Sequence, residues 1–228
     1  MSRVFSANTD HLDSASSVVT DVPLTLSAWV KYDSTHGVTQ YMPICLGESG
    51  TGNNYFALKS LSGQQIRAEE RDTSISGGNT VQATPPLGVT SWYLFSGVFT
   101  THGSRSMWIN GTGKGSDSTA KTASGINSIR ISGDNNATPS QIWRGNIAHV
   151  AIWNIALSDQ QIASLLYLYP NQVAVGNLVN YWPLTNNQSP EPDYGSGNLP
   201  LTVTGTTFST DNPNIAGTLV QQLMGAIG

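Results

Sequence analysis

Between residues 24 and 31 the chain alternates, with Leu24, Leu26, Ala28 and Val30 set against Thr25, Ser27, Trp29 and Lys31. A period of two with one apolar side is that of a half-buried β-strand, whose successive side chains point to opposite faces. Further strands are expected at 41–47, 54–59, 64–70, 92–99, 106–110, 127–132 and 145–154. Clusters of Gly, Asn, Ser or Pro separate most of them, the punctuation of a β-sandwich. Asn110-Gly111 predicts a tight hairpin, because both residues tolerate positive φ, and the polar Thr112-Gly113-Lys114 beyond it suits a tip facing solvent. One segment changes period: Ile162, Leu165, Leu166 and Tyr169 follow at i, i+3, i+4 and i+7. Ser158 stands in the N-cap position, Gln161 three residues later completes a capping box, and Pro170 stops the run. A short amphipathic helix is therefore expected over 158–169, plugging an edge or end of the sandwich. β character returns over Leu178–Trp182 and Leu199–Thr207, and an apolar run without charge follows from Asn214 to Gly228.

Composition narrows the classes. Of 228 residues only 11 % are charged, while 38 % are hydrophobic, with six Trp and eight Tyr, so disorder is excluded as a general state. The surface must hydrate mainly through neutral Ser, Thr, Asn, Gln and Gly. A net charge of −4, with ten scattered basic residues, argues against nucleic-acid binding. No apolar run approaches the ~18 residues that a membrane helix needs. The start Met1-Ser2-Arg3-Val4-Phe5-Ser6 passes straight into a strand pattern, without the basic and apolar regions of a signal peptide. Cys45 is the single cysteine, read as a small buried hydrophobe within Pro43-Ile44-Cys45-Leu46.

Four segments together resemble one family. They are Pro23–Val30, Ser104–Gly111 with its Arg105-x-x-x-x-Asn110-Gly111 spacing, Gly145–Asn154 followed by Ala156-Leu157-Ser158, and a late block. That block runs Asn177–Leu184, then Pro190-Glu191-Pro192-Asp193, then Leu201–Gly205. The set resembles bacterial and phage laminin G-like (concanavalin A-like) jelly-roll domains over residues 4 to 212. The resemblance implies an all-β antiparallel sandwich over 1–213 with one short helix, the late strands lying near the N-terminal one, and leaves 214–228 as an apolar C-terminal arm. Eukaryotic members commonly carry a disulfide, which a lone cysteine cannot form; this points to a bacterial or viral lineage.

Chemistry is sparse. Sandwich glycosidases place paired carboxylates on one strand, and Glu69, Glu70 and Asp72 are the nearest candidates, with Glu70 and Asp72 on one face. Arg71 between them suits a solvated strand end, and no third acid follows, so no catalytic residue is expected. His11, His36, His102 and His149 lie in dissimilar contexts, and His149 is expected as an exposed strand residue. The family often holds one calcium at the sandwich rim, so Asp134, Asn135 and Asn136 in one loop and Asp193 in another are candidate ligands. An Asx turn explains either loop as well. No other cofactor is expected. For a sugar, Trp92, Trp108, Trp143 and Trp153 are available; the resemblance puts Trp29, Trp92 and Trp153 at core or near-core positions, and Trp143, between the polar loop 133–141 and Arg144-Gly145, is the candidate platform, with Tyr32, Tyr41 and Tyr55 behind it. Asn110, Asn136 and Asn187 head glycosylation triplets, read as coincidence in a chain without an export signal.

On these grounds the expected role is non-enzymatic: a virion structural protein of a tailed phage, decorating the capsid or forming part of a tail or fibre, made in the host cytoplasm. Leu219, Val220, Leu223, Met224 and Ile227 would anchor the arm on other virion proteins or a second copy. The alternative is a lectin-like module that attaches to surface glycans.

Overall fold

The computed structural model describes residues 1–34, 40–61, 65–73, 77–82 and 87–215, with the backbone alone at 77–82. The arm residues Leu219, Val220, Leu223, Met224 and Ile227, and His36, lie outside the described residues. The first strands are β1 (Ser2–Phe5), β2 (His11–Ser14), β3 (Leu24–Tyr32), β4 (Tyr41–Gly47), β5 (Tyr55–Ser60), β6 (Gln65–Arg71) and β7 (Gly77–Gln82). They are followed by β8 (Trp92–Thr101), β9 (Ser104–Ile109), β10 (Thr112–Asp117), β11 (Ser128–Ile131) and β12 (Gly145–Trp153). After helix α1 (Asp159–Ser164) come β13 (Leu178–Trp182), β14 (Thr202–Thr204) and β15 (Thr207–Ser209). Two antiparallel sheets result, in the orders β10-β9-β8-β3-β12-β1-β15, with β13 also on β12, and β14-β2-β11-β4-β5-β6-β7.

The alternation in β3 does what its period dictates. Leu24, Leu26, Ala28 and Val30 face the second sheet in a core shared with Phe56, Leu58, Phe95, Phe99, Ile129 and Ile147. The opposite side is not half-exposed as expected. Trp29 joins Leu94, Trp108, Ala151 and Trp153 in a second apolar layer, closed from outside by Leu157, Ile162, Leu165, Val173 and Ile215. α1 and the turns after it therefore roof the outer face of the first sheet and do not plug an edge. The roof explains why β3 is buried on both sides apart from Lys31.

The capping box forms, with Ser158 Oγ accepting from Gln161 N and the Gln161 side chain accepting from Ser158 N. The helix is shorter than its apolar period implies. After Ser164 the hydrogen bonds tighten to i→i−3 at Leu165, Leu166 and Tyr167, and Tyr169 turns outward. The Asn110-Gly111 hairpin has the expected positive φ values, 50° and 63°. Thr112-Gly113-Lys114 face solvent as expected, but Gly111 is buried: a Cβ on it would stand 2.9 Å from Ala163 Cα. The turn is thus also a seat for α1.

Two features govern the far edge of the first sheet. β12 pairs with β3 through residues 145–148 and again through 151–153, and the register slips between them. β1 occupies the other side of its first half, with Arg3 opposite Ile147, and β13 the second half, with Val150 opposite Trp182. Arg3, almost fully buried, donates to Glu191 Oε2 from Nε at 3.1 Å and Nη2 at 2.8 Å, and to Thr206 Oγ1 at 3.1 Å. The acidic residue of the Pro190-Glu191-Pro192-Asp193 block thus clasps the first strand to the last ones.

Candidate functional site

The loop from Ser132 to Arg144 joins the second sheet to the first and is rigidly built. Asp134 is its hub: Oδ1 accepts from Ser140 N at 2.9 Å, and Oδ2 from Asn136 Nδ2 at 2.9 Å, Ser140 Oγ at 2.5 Å and Gln141 Nε2 at 3.1 Å. Met42 N donates to Gln141 O at 2.8 Å, which ties the loop to β4. Trp143 N donates to Ser132 Oγ at 3.0 Å and its indole Nε1 to Lys31 O at 3.4 Å, which drives the ring inward. Arg144 is left on the rim, where Nη2 donates to Asn8 Oδ1 at 2.8 Å from the β1–β2 turn.

These constraints leave an open cleft of about 630 Å³ between the loop and the start of β4. Asn8, Gln40, Ser140, Gln141 and Arg144 supply its polar groups, and Tyr41, Pro139 and Ile142 its apolar walls. The size is that of a small-ligand site, and the mixture of amides, hydroxyls and an aromatic wall suits a hydroxylated ligand. Among the described residues Arg144 is the one charged member of the lining. Gln141 holds φ at 56°, a left-handed conformation that the bonds around Asp134 over-determine.

Trp143 does not line this cleft. It has no exposed surface and packs against Tyr32 at 4.8 Å and Phe95 at 6.3 Å between ring centroids, so it is a core residue and cannot act as a platform. Tyr32, Tyr55 and Tyr41 are buried too; of these, Tyr41 alone borders the cleft, with 9 % of its surface exposed. Its neighbourhood gave no sequence signal, because Asn8, Gln40 and Gln141 are ordinary loop residues until folding joins them.

The calcium candidates are engaged otherwise. Side-chain N–H groups of Asn136 and Gln141 point at the Asp134 carboxylate, a donor set that a cation would have to displace. Asn135 is buried, with its carbonyl accepting from Gly50 N. Asp193 lies elsewhere, against β13, and accepts from Asn180 Nδ2, Tyr181 N, Gly195 N and Leu199 N at 2.7–2.8 Å. The structure does not bring the two loops together, and among the described residues no three His, Cys, Asp or Glu converge as metal ligands. Both loops are turns organised by a carboxylate.

The acidic strand also separates. Glu69 faces outward, hydrogen-bonded by Tyr55 Oη at 2.6 Å and paired with Arg67 at 3.1 Å. Glu70 faces inward, bonded to His102 Nδ1 at 2.5 Å and Ala123 N at 3.1 Å, and burial holds its carboxyl above the usual range. Asp72 pairs with Lys121 at 3.8 Å. No two of them share a cleft. His149, expected on the outside, is 6 % exposed. The register slip in β12 turns it with φ 49° onto the outer face of the first sheet, where Nδ1 meets Tyr181 Oη at 2.8 Å. Burial lowers its pKa to about 4.

The two stacked antiparallel sheets define a concanavalin A-like β-sandwich. Residues 6–163 match the model of the concanavalin A-like lectin/glucanases superfamily, to which the chain therefore belongs. No curated protein matches the sequence. Among solved structures, the chain is similar to a candidate carbohydrate binding protein from Bacteroides ovatus (17 % identity, TM-score 0.64, covering 95 % of this chain and 61 % of that one). It is also similar to the CBM40 of a Ruminococcus gnavus sialidase bound to α2,3-sialyllactose (10 %, 0.56, covering 71 % and 95 %). A third likeness is to a heptameric pentraxin of Limulus polyphemus (14 %, 0.59, covering 72 % and 80 %). The chain thus spans less than two thirds of the Bacteroides protein, and at these identities the likenesses show the fold.

Proposed function

We propose that this chain is a non-enzymatic carbohydrate-binding module whose sugar site is the cleft beside Tyr41 and Arg144. The cleft carries the reading. It holds neutral donors and acceptors around an aromatic edge, fixed by a hydrogen-bonded loop that loses little entropy on binding. The names of the Bacteroides and Ruminococcus relatives agree with it. The virion role that the sequence put first draws no support from fold or relatives, and attachment to glycans takes its place.

Glycan-array screening followed by calorimetry tests this. Arg144→Ala and Gln141→Ala should each weaken binding of the selected glycan about tenfold, the loss of one or two polar contacts, without changing its length or reducing ends. A ligand whose affinity ignores both substitutions would place the site elsewhere, and cleavage of that glycan would remove the non-enzymatic reading.

A further inference from the structure

We infer that the outer face of the first sheet carries a second ligand site, an aromatic platform of Tyr169 and Tyr194 around His149 and Tyr181 that takes the apolar face of a neutral sugar ring. This extends the carbohydrate reading to a place that shares no residue with the cleft.

The geometry starts from the slip in β12. A bulge inserts an extra residue and re-aims its side chain, and one in a left-handed conformation on a bulky residue persists only where the surroundings enforce it. Here it points a histidine outward where β1 gives way to β13. The imidazole lies edge to edge with Tyr181, 22° between planes at 6.1 Å, and Tyr169 leans over it at 5.1 Å and 52°. Tyr194 continues the array from Tyr181 at 6.5 Å and 59°. The two flanking rings are open: Tyr169 is 37 % and Tyr194 59 % exposed, whereas His149 and Tyr181 form a buried floor. Among the described residues no tryptophan is so exposed; all six are buried or half-buried.

The chemistry of the surroundings selects the occupant. His149 Nδ1 is committed to the Tyr181 hydroxyl, which leaves Nε2 and the outer phenol groups to meet hydroxyls. The imidazole is neutral down to about pH 4. The nearby Asp193 carboxylate is spent on four N–H donors. Neither the imidazole nor that carboxylate therefore offers a charge to an acidic sugar or a phosphate. An extended peptide has no ladder to join either, because residues 194–197 already close the free edge of β13 through Tyr194 N to Tyr181 O, Ser196 N to Leu178 O and Gly197 N to Val179 O. Angled aromatic rings, neutral polar tips and a closed backbone suit a pyranose.

The test uses the full chain with maltohexaose, cellohexaose, xylohexaose and mannohexaose as probes, read by aromatic chemical shifts and calorimetry. At least one should move the Tyr169 and Tyr194 resonances. Tyr194→Ala and Tyr169→Ala should weaken that binding about tenfold, with Tyr194→Phe retaining most of it, as ring stacking requires. Arg144→Ala should leave it unchanged, which separates this site from the cleft: failure of the cleft alone affects only Arg144-dependent ligands. Both tyrosines are partly exposed, so their truncation spares the fold. The inference is overturned if no probe moves those resonances, if all binding depends on Arg144, or if decaproline binds there and the sugars do not.

Discussion

His149 shows how a single residue departs from its sequence context. In an apolar run it reads as the polar face of a strand, and it is buried because the bulge rotates it beneath Tyr169. Burial favours its neutral form, so folding competes with protonation. Its folded pKa of about 4 lies below the ordinary 6.5. The stability tied to neutral His149 is complete above pH 6.5 and is lost as pH falls towards 4, by about 3 kcal/mol in all. Glu70 and Glu191, whose carboxyls burial raises, act in the opposite sense, so the wild-type profile alone will not isolate the histidine. Denaturant unfolding of wild type and His149→Asn from pH 7 to pH 4 will: the gap between them should shift in favour of the variant as the pH drops. A gap that stays constant would mean the imidazole protonates freely in the folded state.

At the scale of elements, the strongest local signals were also those whose surroundings were misread. Asn110-Gly111 forms the tight turn that its positive φ values require, and Leu94 N and O both bond to Asn110. Its burial could not be seen, because the contact is with a helix some fifty residues later. Gly111→Val would meet Ala163 backbone and force a left-handed β-branched residue. We expect at least ~2 kcal/mol lost in urea unfolding, whereas the same change at Gly113, with φ 61° but open space around it, should cost less. Equal effects would show that backbone strain alone, and not the seat for α1, sets the penalty. The apolar strands were legible from their period. β2, β7, β10 and β15 were not predicted, since segments such as Thr112–Asp117 carry no apolar alternation and pair only because a neighbour presents an edge.

For the whole molecule, sequence pattern and family resemblance defined the sandwich well and the candidate site poorly. Core strands announce themselves through burial that repeats every second residue. The cleft is assembled from Asn8, Gln40–Tyr41 and 139–144, and nothing local marks those residues as partners. The family model ends at residue 163, yet β13, β14 and β15 complete both sheets beyond it. A chain ended after residue 200 should therefore leave β1 and β2 without their outer neighbours and expose the Arg3 side chain. Its thermal midpoint should fall by more than about 10 °C, given several kcal/mol for the lost strands, the Thr206 contact of Arg3 and the Leu201 bridge that holds Glu191. An unchanged midpoint would make the late strands dispensable.

The clasp between Arg3 and Glu191 also sets an order of events. β1 gains β12 once residue 147 is made, but Ser2 pairs with Ser209 on the other side, so a growing chain leaves that side of the strand open until residue 209 has left the ribosome. Closure of the first sheet is then the last step of assembly, and contacts so distant along the chain make it a slow one.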